Sequence, residues 1–171
     1  MKNKIKLDLS EIQPSEDLEL IRVDIEHIAS TQDHRTFVVL TDGERKNIVE
    51  INNYEASMLS FVYKELHLNS HIQTIHQLFL KYLRLYKSEV ESVVIESKVG
   101  DVIYCSLKLV DKSFNRSFAI TSLCDGLILA LVTEKPMYAI KDVWTDMDES
   151  DDWDYEEYIV DFTEDEDDDD D

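Results

Sequence analysis

Two stretches of this chain, 18–66 and 90–132, pass through the same succession of hydrophobic patterns. In each, segments with apolar residues spaced two apart lead into a segment with apolar residues three and four apart. The first stretch reads LELIRVDIEHI (18–28), TFVVLT (36–41) and KNIVEI (46–51). Alternation with period two marks strands with one buried face. Asp42-Gly43 marks the turn between the second and third. The segment 54–66 then places Leu59, Val62, Tyr63 and Leu66 on one helical face. Asn52 and Asn53 precede it as caps, because their side-chain oxygens accept from first-turn amides. The second stretch repeats the order with strands at 90–97, 102–110 and 117–120, and Gly100 in the first turn. Its helix, LCDGLILALV (123–132), has almost no polar face and must be buried on nearly every side.

Between the copies lies one extra helix, 71–86, with Ile72, Ile75, Leu78, Phe79 and Tyr82 as its apolar stripe. Pro136 ends the second copy's helix, and Met137–Ile140 reads as a short last strand. The expected fold is therefore α+β: duplicated β-β-β-α units forming a mixed or antiparallel sheet with packed helices and one inserted helix. Residue identity between the halves is low, so the repeat is structural.

The 171 residues fit one domain with an appendage. The expected division is an irregular segment at 1–17, a domain at 18–144 and an acidic tail at 145–171. Ile5, Leu7 and Leu9 alternate and suit a short edge strand. The start of the chain has bases but no apolar core or small-residue cleavage site, so it does not read as a signal peptide. No run approaches the roughly 18–20 apolar residues of a membrane helix. Cys105 and Cys124 have no CxxC spacing and no histidine nearby in sequence, whereas a zinc site needs about four ligands from Cys, His or carboxylate. Buried free thiols and a reducing, cytoplasmic setting are expected.

The formal charge of -21 is unevenly spread. Residues 145–171 hold 17 of the 38 acidic residues and no Lys or Arg, which leaves 1–144 at -4. Self-repulsion and low apolar content predict disorder for most of the tail. Trp144, Trp153, Tyr155, Tyr158, Ile159, Val160 and Phe162 interrupt its acids. Such a segment solubilises the chain, docks on a basic, partly apolar partner, or folds back on its own domain.

The order of elements and several residues resemble the bifunctional nuclease domain family. The segment Asn47-Ile48-Val49-Glu50-Ile51-Asn52-Asn53-Tyr54-Glu55-Ala56 is similar to a family stretch ending in Glu-Ala. Ile72-Gln73-Thr74-Ile75-His76-Gln77-Leu78 keeps the His and Leu of a family helix start. Ser122 to Val132 keeps Asp125, Leu129, Ala130 and Leu131 of an apolar helix motif, followed by Pro136 and Tyr138. The resemblance spans about 18–143. The two arginines of the family's last motif are replaced here by Ser122 and Val132, which removes two cations from any anion site.

What the resemblance implies is metal-assisted hydrolysis of RNA or DNA phosphodiesters. Glu55 and Asp125 would hold a divalent cation, Mg²⁺ or Mn²⁺, and His76 would act as general acid or base. The duplication gives Glu55 and Asp125 corresponding places near helix starts, so a pseudo-twofold would bring them together. Each residue also has a plainer reading. Glu55 can serve its own helix terminus, Asp125 can cap or pair with a buried base, and His76 can be a hydrogen-bonded core histidine. Lys81, Arg84 and Lys87 lie on the polar side of the inserted helix and suit phosphate or solvent. No P-loop, GxGxxG, HExxH or GxSxG pattern occurs. The alternative expectation is a non-catalytic, homo-oligomeric interaction module whose acidic and aromatic tail binds a basic partner. Nucleic acid remains an expected partner of the first reading, opposed by net charge.

Overall fold

Strand β7, only Met137–Ile140, is the seam on which the two halves of the sheet meet. The computed structural model describes residues 18–31, 35–68, 74–100 and 102–147. The elements among them run β1 (Leu20–Ser30), β2 (Thr36–Thr41), β3 (Lys46–Ile51), α1 (Asn53–Leu68), α2 (Ile75–Leu85), β4 (Ser88–Val99), β5 (Val102–Asp111), β6 (Arg116–Ser122), α3 (Leu123–Thr133), β7 and α4 (Lys141–Asp146). The seven strands form one sheet in the order β3-β2-β1-β7-β4-β5-β6.

All neighbours pair antiparallel except β4 and β7. Met137 sits in register with Val23 on one side and Val93 on the other, and all three are buried. Because β7 is antiparallel to β1 and parallel to β4, the first strands of the two halves run in opposite directions. That is the relation a twofold through the centre of the sheet would give. The expected duplicated α+β architecture is present. Strands β2, β3 and β7 have the expected bounds, β4, β5 and β6 extend beyond theirs by one or two residues, and β1 lies two residues later than expected at both ends.

The helix expected at 123–132 is buried along most of its length, from Leu123 to Ala130 except Asp125. Gly126 permits this. A Cβ there would lie 2.9 Å from Cys105 Cβ and 3.2 Å from Val93 Cγ1. The missing side chain lets α3 press onto β4 and β5. Leu59 and Val62 of α1 join the same core, as do Leu80 and Leu83 of α2. Among the described residues no helix is long and apolar enough to cross a membrane.

Three expectations need correction. First, α2 begins at Ile75, where Thr74 caps it. Gln77 N–H donates to Thr74 Oγ1, and the Gln77 side chain accepts from Thr74 N–H, a reciprocal capping box. Ile72 and the rest of the expected start lie outside the described residues. Second, the stripe through Ile75, Leu78 and Tyr82 faces outward. The buried face of α2 is His76, Leu80 and Leu83. Third, Thr145 and Asp146, expected in the tail, belong to the folded body. They complete α4 with Trp144, the largest fully buried side chain among the described residues. Its indole N–H donates to Asp42 Oδ2 at 2.8 Å, and its carbonyl accepts from the buried Asn47 amide at 2.9 Å. The side chains of Tyr63 and Leu66, the edge strand expected near Ile5 and the tail from Asp148 onward lie outside what is described.

Candidate functional site

Two helix starts and one helix flank supply the three residues singled out by the resemblance. Asn52 is the cap of α1. Its Oδ1 accepts from the backbone N–H of Tyr54 and of Glu55, each at 3.0 Å. Glu55 reaches back, and its Oε2 accepts from Asn52 N–H at 3.0 Å. This is a second capping box, worth on the order of 1 kcal/mol. Ser122 caps α3 in the same way. Its Oγ accepts from Asp125 N–H at 3.2 Å and donates to Asp125 Oδ2 at 2.9 Å. Glu55 and Asp125 thus occupy the same position, three residues after the cap, in the two halves.

His76 comes from α2, whose buried face presses it toward α3. Its Nε2–H donates to Asp125 Oδ1 at 3.0 Å. The histidine is 8% exposed, whereas the Asp125 side chain is about half exposed. His76 Nδ1 is buried and has no hydrogen-bond partner among the described residues. Asp125 therefore links a buried imidazole to a hydroxyl at the surface, through its two oxygens.

The first turns of α1 and α3 also meet. The Cys124 thiol donates to the Glu55 carbonyl at 3.7 Å. Burial, then the negative charges of Glu55 and Asp125, push the Cys124 thiol up to about 12. Cys105 is likewise pushed up to about 12, by burial and then by Glu96. Both cysteines are free and buried, as expected, and neither is a thiolate nucleophile at neutral pH.

His76 and Asp125 are thus brought together, while the Glu55 carboxylate is turned back onto its own helix. As arranged, this donor set does not make a divalent metal centre. Among the described residues no group of three His, Cys, Asp or Glu side chains is placed to hold one. Both Asp125 oxygens and one Glu55 oxygen already accept hydrogen bonds. The arrangement can orient an imidazole and fix its proton on Nε2, but it keeps the other ring nitrogen away from solvent.

A second feature escaped the sequence patterns. A cleft of about 650 Å³ opens where the ends of α2 and α3 meet the start of β4 and the end of β5. Arg84, Lys87, Lys112 and Lys135 line it, against two acids, Glu89 and Asp111. Lys112 and Lys135 lie far from the other two in sequence, so no local charge run announced them. No protein-family model matches the chain, and no curated protein matches it.

Proposed function

We propose that this protein is an interaction module that assembles with copies of itself through helix α2 and engages basic surfaces through its acidic tail. The observation that carries the first half is the outward face of α2. Ile75, Leu78, Tyr82 and Leu85 are each more than half exposed. Their spacing of three, four and three is the seam spacing of paired helices. The opposite face of α2 is already buried in the domain, so this helix is apolar on both sides. Fully burying a Leu or Ile contributes roughly 1.5–3 kcal/mol. Two such stripes together offset the cost of association, about 4–15 kcal/mol. A second copy is the fitting occupant because one stripe is complementary to itself under a twofold. Free, buried thiols accord with a reducing cytoplasmic setting.

Sedimentation equilibrium of the full chain tests this. The wild type should self-associate at micromolar concentration. Its association should tighten with salt, because α2 carries Lys81 and Arg84 and no acid, so the seam brings like charges together. Leu78→Ser with Leu85→Ser should give a monomer that still unfolds cooperatively, at a melting temperature that, unlike the wild type's, does not depend on protein concentration. A monomeric wild type, or a double variant that assembles equally well, refutes the seam.

The hydrogen bond from His76 to Asp125 favours a second reading, phosphodiester hydrolysis. RNA and DNA cleavage would be measured with and without Mg²⁺ or Mn²⁺. Loss of cleavage in Asp125→Asn and in Glu55→Gln supports this reading. Activity unchanged in both variants removes these residues as its site.

A further inference from the structure

The bases around the cleft differ from many of those elsewhere on the described surface in having no carboxylate beside them. Arg22, Arg35, Lys46, Arg116 and Lys141 each sit beside a carboxylate. Arg84, Lys87, Lys112 and Lys135 form no ion pair with a described residue. Arg45, Lys81 and Lys108 share that property but do not line the cleft. In a chain with a formal charge of -21, unpaired cations gathered at one cleft call for an anion.

Part of their role is local. Arg84 and Lys87 stand at the C-terminal end of α2, and Lys135 stands just past α3. Each helix end presents roughly half a negative charge. Two half-charges together with Glu89 and Asp111 still leave the four cations in excess. Asp111 does not swing to them, since Ser113 N–H, Asn115 N–H and the Asn115 amide hold its carboxylate.

The turns around the cleft are tied together, and its wall mixes apolar with charged side chains. Lys112 N–H donates to the Lys87 carbonyl at 3.2 Å and ties two of its turns together. Lys135 N–H donates to the Ala130 carbonyl and Glu134 N–H to the Leu131 carbonyl, which fastens the third. Leu83 is in its wall, and Phe114 stands at its rim, 85% exposed. The non-glycine residues with positive φ among those described are Lys87, Phe114 and Glu134, one in each of these three turns. Left-handed backbone at such residues is sparsely populated.

We propose that this cleft is the docking site of the chain's own tail in cis, with acids of 148–171 on the four bases and Trp153 or its neighbouring aromatics against Phe114. The tail carries 16 acids and no base, with Trp153, Tyr155, Tyr158 and Phe162 among them. It is 24 residues long beyond Met147. At about 3.3–3.6 Å per extended residue it can span a domain of this size. Charge, apolar content and length all match. The proposal names the basic partner left open above. It rests on the tail half of that reading and does not depend on the α2 seam.

Tryptophan quenching by acrylamide on the full chain decides it. Trp144 is buried, so the quenchable signal reports Trp153. At low salt the quenching constant should be several-fold below that of a synthetic peptide of residues 148–171. Protection should vanish in 1 M NaCl and in Arg84→Glu with Lys112→Glu. It should persist in Arg45→Glu with Lys108→Glu, which carries the same charge change away from the cleft. It should be independent of protein concentration.

Quenching equal to that of the free peptide overturns the proposal, as does protection indifferent to the cleft variant. Protection lost on dilution places the tail on another copy and overturns docking in cis. If Trp153 is exposed in the full chain but becomes protected on adding an oligolysine peptide, the tail has a basic partner and this cleft is not it. If Trp153 is exposed and the full chain binds a labelled oligonucleotide tightly through the same bases, the cleft is a nucleic-acid site instead.

Discussion

Gly126 shows how one missing side chain sets the distance between a helix and its sheet. In the sequence it stands inside an apolar helix, where glycine costs about 1 kcal/mol relative to alanine. The structure supplies the reason it is tolerated, since a Cβ would meet Cys105 and Val93. Gly126→Ala gains helix propensity but overpacks this contact, which typically costs about 1–3 kcal/mol. A net loss of about 1 kcal/mol or more is expected from urea denaturation. A more stable variant would mean that α3 can shift outward. At the same scale, the sequence was legible for Glu55 as a helix-terminal residue and for His76 as a hydrogen-bonded core histidine. The partnership of His76 with Asp125 was not legible from spacing. These residues are 49 apart, and only the resemblance named them together.

At the scale of elements, strands were read well because alternation bounded by turns is a local signal. Helix α4 was not. KDVWTD is short and charged, and it borders an acidic tail, so periodicity marks no helix there and its last two residues read as tail. What makes it structure is distant: Trp144 is held by Asp42 and by Asn47. The stripe of α2 was misjudged for a related reason. Periodicity reveals an apolar face without saying which apolar face the domain covers, and α2 has two.

The anchor of α4 carries a pH signature. Burial raises the Asp42 pKa, but hydrogen bonds from the Arg45 and Glu44 amides and the Trp144 indole outweigh it and hold the carboxyl below its usual 3.8. A carboxylate depressed on folding stabilises the native state above its unfolded value and loses that contribution as pH falls through the folded one. Asp42→Asn keeps an acceptor and removes the charge. Its melting temperature should lie below that of the wild type at neutral pH, and the gap should close below about pH 3.8. A gap that persists at lower pH would assign the effect to shape rather than to charge.

For the whole molecule, the charge division moves three residues along the chain. Met147 is buried with the core, so the folded body extends through it. Removing the 16 acids beyond it takes the formal charge from -21 to -5. A tail that occupies the cleft competes with any other polyanion for Arg84, Lys87, Lys112 and Lys135. A chain ending at Met147 should therefore bind a single-stranded oligonucleotide at least about tenfold more tightly than the full chain at low salt. Each neutralised phosphate of a single strand contributes about -0.7 to the slope of log affinity against log salt. Contacts from the four bases predict a slope near -3, reduced in Arg84→Glu with Lys112→Glu. Equal affinities would show that the tail does not compete there. A slope near zero would remove the cleft as a polyanion site. A slope near -3 that the cleft variant leaves unchanged would place the cationic contacts elsewhere on the body.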